Sequence, residues 1–305
     1  MVETDGRRRC PTVVLCRDIP THDLDEAETS GSVKVIKREQ GNGPASRDWI
    51  LANVAQADGL IVTLTEPIDQ EIIERAPHLK VISTMSVGTD HIDIEALRKR
   101  GIHLGSTPDV LDQAVAELTL MLILNVTRNV ARAASVVQRG EWSEHPWSPL
   151  AFCGPALQGK TIGFVGFGNI AQSVAALLPA FEPKRIVYTT SKAKPFNIES
   201  NDFARLRDKF FPVDRIEVTN EPYLLNLAEQ ADVVVVLTTL NASTKHLIDE
   251  SFFARMKPSA ILVNTSRGPV VDTDALVRAL KNDTILAPVL TSWRANRRSE
   301  RIILS

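Results

Sequence analysis

The sequence has little that would suit an oxidising compartment, a membrane or a polyanionic partner. Only three of its 305 residues are cysteine (Cys10, Cys16 and Cys153), which is too few for a disulfide framework in a chain of this length. No apolar run approaches the ~20 residues that span a bilayer, and the basic start lacks the apolar stretch of a signal peptide. A formal net charge of -2 gives no electrostatic reason to expect nucleic acid or an anionic membrane as a partner. We therefore expect a soluble cytosolic protein whose cysteines are small buried hydrophobes.

Short β-branched runs alternate with helical patterns from one end of the chain to the other. The predicted strands are residues 12–17, 33–39, 59–64, 81–86, 102–107, 161–166, 185–190, 215–220, 231–238 and 260–266. Such alternation predicts βαβ units and parallel sheets. A long apolar-periodic segment after Pro108 predicts one or two buried helices. The sequence therefore predicts an α/β protein with two domains that join near Pro108.

A glycine pattern lies between a predicted strand and an apolar helix in TIGFVGFGNIAQSVAALL. Gly166 would allow the tight turn, Gly168 would let the backbone approach a pyrophosphate, and Ala171 would keep the helix close to the sheet. The free N–H groups of the helix N-terminus would bind the pyrophosphate. The alternative is a glycine turn kept for packing, but the strand–turn–helix context favours dinucleotide binding.

The end of the next strand, RIVYTTSKAK, indicates which dinucleotide is bound. A site that prefers NAD places an acid there, ~20 residues beyond the glycines, to accept a hydrogen bond from the ribose 2′-OH. This chain instead has Thr190, Ser191, Lys192 and Lys194, whose donors and positive charge suit a 2′-phosphate. The pattern predicts NADP(H) over NAD(H), and the alternative is an ordinary solvated basic loop.

Two other segments carry candidate anion-binding groups. Residues 85–91, MSVGTDH, form a glycine-containing turn after a strand, where backbone N–H groups can converge on an anion. Arg267 follows the apolar run AILV at the carboxyl end of a strand, the edge where open α/β sheets bind ligands, and a guanidinium matches a planar carboxylate. The alternatives are an ordinary turn and a structural salt bridge. No metal site is predicted.

Together these motifs resemble the D-isomer-specific 2-hydroxyacid dehydrogenases. The resemblance extends from about residue 12 to Ala287, and its motifs are LKVISTMSVGTDHIDIEALRKRGI, STPDVLDQAVAEL, TIGFVGFGNIAQ and ILVNTSRGPVVDTDALVRAL. Within that family STMSVGTDH, TPDVL and RIVYTTSK are most similar to the glyoxylate/hydroxypyruvate reductases. The resemblance implies two doubly wound parallel-sheet domains: a flavodoxin-like substrate domain over residues 1–107 and a Rossmann dinucleotide-binding domain over 108–287. It also implies hydride transfer between NADP(H) and a small 2-oxoacid.

The resemblance further implies roles for individual residues. Ser86, Val87 and Gly88 would bind the substrate, and Arg267 would bind its carboxylate and stabilise charge on its carbonyl oxygen. Trp147 lies in a loop that crosses between subunits in relatives, which implies a homodimer and places Trp147 near substrate. The residues that would line the cofactor, besides Gly166, Gly168 and Ala171, are Asn169, Ile170, Thr190, Ser191, Lys192, Thr239 and Thr265.

The chain departs from the family pattern after residue 287. There the family has a proton-donating histidine and a glutamate that raises its pKa, in motifs resembling GLDV-x-x-x-EP and LPHIGSA. From Ala287 this chain reads APVLTSWRANRRSERIILS, so that residues 288–305 form an atypical tail, and none of its six histidines occupies the donor position. The last strand of the sheet and a returning helix are also expected to be missing.

The tail has a further property. Permitted codons for Pro288 to Arg294, read one base out of register, encode Gly-Leu-Asp-Val-Met-Glu, which restores the family motif. We therefore expect a frameshift, and little turnover from the chain as written. The alternative function is a dinucleotide-binding regulatory or corepressor-like module, and phosphoglycerate, formate and D-lactate dehydrogenases are alternative activities within the family.

Overall fold

The structure is a computed structural model that describes residues 9–38, 43–148 and 151–290. The chain divides into a first unit, Met1–Leu111, and a second unit, Asp112–Ser305. The division falls close to Pro108, where the sequence predicted that the two domains join. Each unit has its own parallel sheet and its own buried core.

The first unit is a sheet of short strands connected by helices. Its strands are β1 Thr12–Leu15, β2 Lys34–Lys37, β3 Gly59–Val62, β4 Val81–Thr84 and β5 His103–Gly105, and its helices are α1 His22–Thr29, α2 Arg47–Val54, α3 Gln70–Glu74 and α4 Ile94–Arg100. All strand pairs are parallel and the order is β2-β1-β3-β4-β5. This is the order of a flavodoxin-like sheet, as the resemblance implied.

Local sequence signals account for the helix boundaries in the first unit. The side chains of Ser46, Asp69 and Asp93 accept hydrogen bonds from the first turns of α2, α3 and α4. Each is a residue type that commonly caps a helix N-terminus. Helix α4 ends at Gly101 with a φ of +64°, the left-handed conformation that glycine adopts without steric cost. These caps fix where the chain leaves each helix for the next strand.

The second unit is a larger sheet with helices on both faces. Its strands are β6 Thr161–Val165, β7 Arg185–Thr189, β8 Glu217–Asn220, β9 Val233–Val236, β10 Ile261–Asn264 and β11 Ala287–Leu290. Its helices are α5 Asp112–Thr127, α6 Val130–Gln138, α7 Asn169–Leu177, α8 Ala204–Asp208, α9 Leu224–Gln230, α10 Glu250–Arg255 and α11 Thr273–Lys281, with short 3-10 segments at Leu178–Phe181, Asn201–Phe203 and Gly268–Val270. The order β11-β10-β9-β6-β7-β8 is that of a Rossmann fold.

Burial along β9 shows that both faces of this sheet are covered. Val233 and Val235 pack into one core with residues of α5 and α7, while Val234 and Val236 pack into a second core with residues of α9, α10 and α11. Successive side chains of a strand point to opposite faces, so an unbroken valine run suits a strand buried on both sides. The run ADVVVVLT at residues 231–238, which is apolar almost throughout, has the composition expected of such a strand.

The segment after Pro108 forms two helices. Helices α5 and α6 are bent by 71° at the break between them. Within the described ranges no single helix is both long and apolar enough to cross a membrane, and α5 and α6 reach that length and hydropathy only together.

In both units an aspartate at the amino edge of the sheet binds the start of a neighbouring strand. The carboxylate of Asp58, before β3, accepts a hydrogen bond from the N–H of Thr12 at the start of β1 (2.9 Å). Asp232, before β9, accepts one from the N–H of Thr161 at the start of β6 (2.9 Å) and pairs with Lys257 at 2.9 Å. Burial opposes ionisation of both carboxyls, but these hydrogen bonds and neighbouring cations lower the pKa of each below its usual range.

Every strand predicted from the sequence is present, each a little shorter than predicted. Strand β11 is an addition, because no strand was expected beyond Ala287. It pairs in parallel with β10 from Ile261↔Ala287 to Asn264↔Leu290, so the outer edge of β10 is covered along its length. The expectation was wrong because it relied on a missing family motif, whereas the apolar run APVL pairs through its backbone. Residues 291–305 of the tail lie outside the described residues.

The cysteines also differ from the expectation. Cys16 is buried, but Cys10 and Cys153 are exposed, so only one of them is a small core hydrophobe. Burial, and then the nearby Glu66 carboxylate, raise the pKa of the Cys16 thiol to about 12. Cys16 is therefore an inert core residue at neutral pH.

Candidate functional site

The turn between β6 and α7 requires glycine at its first position. Gly166 has a φ of +89°, and a Cβ built there would lie 2.6 Å from the carbonyl oxygen of Leu237, which follows β9. The N–H of Gly166 donates to the carbonyl of Thr189 at 3.0 Å. The turn is therefore pressed between the ends of two neighbouring strands, where no side chain fits.

The second glycine has a different surrounding. Gly168 is the N-cap of α7, its φ is −81°, and no atom lies within 4 Å of the Cβ it would carry. Asn169 and Ile170 form the first turn of the helix, Gly168 has no side chain with which to cap it, and Ala171 is buried in the core. Open space beside a glycine N-cap at a helix N-terminus fits the pyrophosphate of a dinucleotide.

The end of β7 carries the groups predicted to select the cofactor. Thr190 is half-buried and its hydroxyl donates to the carbonyl of Lys192 at 2.6 Å, while Ser191 and Lys192 are exposed. Lys194 pairs with Asp202 at 3.1 Å. Within the described ranges the ammonium of Lys192 has no ion-pair partner. Of the two lysines, Lys192 is therefore the one whose charge is available to a ligand.

This loop is held by the strands beneath it. The hydroxyl of Tyr188 donates to the carbonyl of Lys194 (2.5 Å), and the side chain of Asn220 both donates to the carbonyl of Tyr188 and accepts from the N–H of Lys194. Burial, and then the charge of Asp202, raise the pKa of the Tyr188 phenol, so it stays a neutral donor. The loop is thus fixed at both ends, with Lys192 between them.

The end of β10 presents Arg267. Asn264 is fully buried; its amide donates to the carbonyl of Arg267 (2.9 Å), and its side-chain oxygen accepts from the N–H and the hydroxyl of Ser266. Arg267 is half-buried and donates to the carbonyl of Ser266 at 3.1 Å. The hydroxyl of Thr265 lies 2.9 Å from that of Thr119 on α5. The backbone around Arg267 is therefore fixed by a polar residue inside the core.

The cofactor candidates of the second unit lie at one edge of its sheet. The glycine turn follows β6, Thr190 to Lys192 follow β7, Thr239 follows β9, and Thr265 follows β10. These strands are adjacent in the order β10-β9-β6-β7 and are parallel, so their carboxyl ends meet at the same edge. Thr239 is exposed there, and its carbonyl accepts from the hydroxyl of Thr244. The fold therefore brings these cofactor candidates to one edge of the sheet.

The first unit carries the other candidate, the loop of residues 86–88 after β4. Ser86 is buried and its hydroxyl donates to the carbonyl of Gly88 at 2.6 Å, while Val87 is exposed. The carbonyl of Ser86 accepts from the N–H of Thr107 at 3.0 Å. Among the described residues the N–H groups of Val87 and Gly88 have no acceptor. The loop thus offers two backbone donors to an anion.

Trp147, the remaining candidate from the sequence, belongs to the second unit. It is 87% exposed, in the loop between α6 and β6. That loop leads to the amino end of β6, opposite the edge where the cofactor candidates lie.

No group of three or more potential metal ligands occurs among the described residues.

Sequence reasoning missed the buried polar residues that support these loops. Thr84, at the end of β4, and Asn264, at the end of β10, are both 0% exposed. Both could have been found from the sequence, because each is a polar residue at the end of a strand, directly before a candidate loop. A buried polar group at such a place must find hydrogen-bond partners nearby.

Known proteins of one family are similar to this chain. The family model for the D-isomer specific 2-hydroxyacid dehydrogenase NAD-binding domain matches residues 120–299. The chain is 41% identical over 280 residues to a glyoxylate reductase of Thermofilum pendens, covering 92% of this chain and 77% of the relative. It is 38% identical over 253 residues to a human glyoxylate reductase/hydroxypyruvate reductase, covering 83% of this chain and 72% of the relative.

The fold is also similar to that of a solved structure. The NADPH-dependent glyoxylate/hydroxypyruvate reductase of Sinorhizobium meliloti, in complex with NADP and malonate, superposes with a TM-score of 0.75 at 26% identity. The match covers 94% of this chain and 81% of that one. These similarities favour an enzyme over the alternative of a dinucleotide-binding regulatory module.

Proposed function

Because the chain belongs to the D-isomer-specific 2-hydroxyacid dehydrogenase family and is an enzyme of that class, we propose that it reduces a small 2-oxoacid, glyoxylate or hydroxypyruvate, to the 2-hydroxyacid. The observation that carries the proposal is one edge of the second sheet, where the glycine turn follows β6, Lys192 follows β7, and Arg267, whose backbone is held by Asn264, follows β10. The names of the relatives, which share 38% and 41% identity with the chain, support the choice of substrate.

The proposed cofactor residues divide by the part of the dinucleotide that each would hold. Gly166, Gly168, Asn169, Ile170 and Ala171 form the turn and helix start for the pyrophosphate. Thr190, Ser191 and Lys192 follow for the adenosine ribose, and Thr239 and Thr265 complete the edge. When bound, a reduced nicotinamide supplies the hydride. The protein's own contribution is to hold that ring in place and to polarise the substrate.

The proposed substrate residues are anion binders. The N–H groups of Val87 and Gly88, in a loop held by Ser86, would bind a carboxylate. The guanidinium of Arg267 would bind the substrate through paired hydrogen bonds and stabilise negative charge that develops on the carbonyl oxygen. Asn264 would keep Arg267 in place through the backbone.

The function is tested by following NADPH absorbance with the purified 305-residue chain and a panel of 2-oxoacids. Turnover should be low, because none of the six histidines occupies the proton-donor position of the family, but glyoxylate and hydroxypyruvate should still be reduced with higher kcat/KM than pyruvate. A clear preference for pyruvate, or dinucleotide binding with no reduction of any 2-oxoacid, would contradict the proposal.

We further propose a preference for NADP(H) over NAD(H). Structural neighbours include complexes with each cofactor, so the proposal depends on the end of β7, where no acid stands and Lys192 lacks an ion pair among the described residues. A charge-assisted hydrogen bond contributes about 1.5–3 kcal/mol, which corresponds to roughly 10- to 100-fold in affinity. Lys192→Ala should therefore weaken NADPH binding by about tenfold or more and leave NADH binding nearly unchanged.

The matched variants are Thr190→Asp and Lys209→Ala. An aspartate at the strand end would accept from a ribose 2′-OH and repel a 2′-phosphate, so Thr190→Asp should reverse the preference. Lys209 is exposed elsewhere in the second unit, and its removal should change neither affinity. Fluorescence titration of both reduced cofactors measures these affinities, and tighter NADH binding by the unmodified protein would overturn the preference.

The oligomeric state and location are also proposals. The 87% exposed Trp147 and the exposed apolar side chains Leu118 and Met121 on α5 support a homodimer that covers them. Light scattering should then give a mass about twice that of the chain. A cytosolic location is supported by the three cysteines, none of which forms a disulfide in the described part of the chain.

A further inference from the structure

A chain of hydrogen bonds runs beneath the 86–88 loop in the first unit. The Nε2 atom of His91 lies 3.0 Å from the hydroxyl oxygen of Thr84, which lies 2.9 Å from the hydroxyl oxygen of Ser86. That hydroxyl lies 2.6 Å from the carbonyl oxygen of Gly88. Thr84 is fully buried, Ser86 is 3% exposed and His91 is half-buried. This series of hydrogen bonds therefore connects His91 to the 86–88 loop through the protein interior.

The number of protons fixes the direction of every bond in this chain. A carbonyl oxygen only accepts, so the single hydroxyl proton of Ser86 is donated to Gly88. Ser86 must then accept from Thr84, whose single proton is used in that bond. Thr84 must in turn accept from His91, so Nε2 of His91 carries a proton. The tautomer of His91 follows from the acceptor at the far end of the chain.

The bonds also explain how the loop is shaped. Peptide units are planar and trans, so holding a carbonyl turns the following N–H to the opposite side. The carbonyl of Ser86 is held by the N–H of Thr107, which directs the N–H of Val87 away from it. The carbonyl of Gly88 is held by Ser86, which fixes the Gly88–Thr89 peptide unit. The Val87–Gly88 unit, which carries the N–H of Gly88, therefore lies between two peptide units that are held. Gly88 has no Cβ to restrict its backbone, so this bond limits the conformations that it can adopt.

We propose that Thr84 and His91 are positioning residues that hold the N–H groups of the 86–88 loop ready for the substrate carboxylate, and that His91 is not the proton donor of the reaction. The Nε2 proton of His91 is committed to Thr84, and its release would break the chain that shapes the loop. The sequence places His91 beside this loop, where it would be the first candidate for a proton donor. The geometry gives it a different role, which rests on the proposed function only in naming the anion as a substrate carboxylate.

The test combines binding, kinetics and NMR on the full-length protein. Oxalate, a two-carbon dianion, is the probe for the loop in the presence of NADPH. His91→Ala and Thr84→Val should each raise the Kd of oxalate and the KM of glyoxylate about fivefold, the effect of losing one hydrogen bond of about 1 kcal/mol. The kcat should change less than twofold, and the Kd of NADPH should not change. His91→Gln, whose amide can donate to Thr84, should restore both constants to within twofold.

The controls separate positioning from catalysis and from general damage. Thr84→Ser keeps the hydroxyl and should behave as the unmodified protein, and so should a variant of the exposed His78 in the same unit, His78→Gln. The pH profile of kcat should be the same in His91→Gln as in the unmodified protein. Loss of kcat in His91→Gln with an unchanged KM would show that His91 donates the proton and would overturn the proposal.

A measurement without substrate keeps the proposal independent of the assigned function. Long-range 1H–15N spectra should show neutral His91 with its proton on Nε2, and Thr84→Val should lower that preference. A proton on Nδ1 instead would refute the hydrogen-bond chain, whatever the enzyme reduces. If the tautomer is as expected but the unmodified protein neither binds oxalate nor reduces a 2-oxoacid, the proposed function fails and the support of the loop by His91 stands.

Discussion

The two glycines of the cofactor turn should respond to alanine in opposite ways. At Gly166 an alanine would adopt a φ of +89°, and left-handed backbone costs a residue with a Cβ roughly 1–2 kcal/mol. Its Cβ would also lie 2.6 Å from the carbonyl oxygen and 2.9 Å from the carbonyl carbon of Leu237, and such overpacking costs about 1–3 kcal/mol. The sum is about 2–5 kcal/mol, a large part of the ~5–15 kcal/mol that stabilises a typical domain.

At Gly168 the same substitution meets no steric obstacle. Its φ is −81° and no atom lies within 4 Å of the added Cβ, so the cost is at most about 1 kcal/mol, because alanine is a poorer N-cap than glycine. The new methyl would instead occupy the space proposed for the pyrophosphate. Gly168→Ala should therefore keep the fold and lose most of its dinucleotide affinity, whereas Gly166→Ala should lose stability.

Thermal unfolding and NADPH titration of the two variants separate these effects. For a unit of this size about 1 kcal/mol corresponds to roughly 2–4 °C, so Gly166→Ala should lower the Tm by about 4–20 °C. Gly168→Ala should lower it by no more than about 4 °C while weakening NADPH binding at least about tenfold. If Gly166→Ala melts with the unmodified protein, or Gly168→Ala binds NADPH normally, the reasoning from local geometry is refuted.

Two further predictions concern groups outside the proposed site. Because Asp58 and Asp232 have folded-state pKa values below their unfolded values, their contribution to stability is present above about pH 4 and lost as pH falls through the lowered values. Asp232→Asn should thus reduce stability at pH 7 and flatten its decline below pH 5 in urea titrations, and an unchanged acid limb would contradict this. Iodoacetamide at pH 8 should modify exposed Cys10 and Cys153 but not Cys16, as read by mass spectrometry, and early labelling of Cys16 would show that its thiol is accessible.

The strands and the dinucleotide turn could be predicted because their signals are local. Valine runs such as 233–236 report burial on two faces, and the spacing Gly166-x-Gly168-x-x-Ala171 reports a turn into a helix. Strand β11 could not be predicted in this way. Its four residues pair with β10 through backbone groups, which a search for family side chains does not detect.

The sequence by itself determined the fold class and the family, and it indicated the loops that we propose as anion binders. Only the tertiary structure decided which polar residues support those loops, because such support depends on contacts made across the interior. Thr265 contacts Thr119, 146 residues away in the chain, and only the fold brings them to 2.9 Å. His91 lies next to a predicted loop in sequence, but the direction of its hydrogen bond is set by the carbonyl of Gly88 through two buried hydroxyls. The sequence shows which chemical groups a residue has, whereas the packing of the fold decides which other groups it contacts.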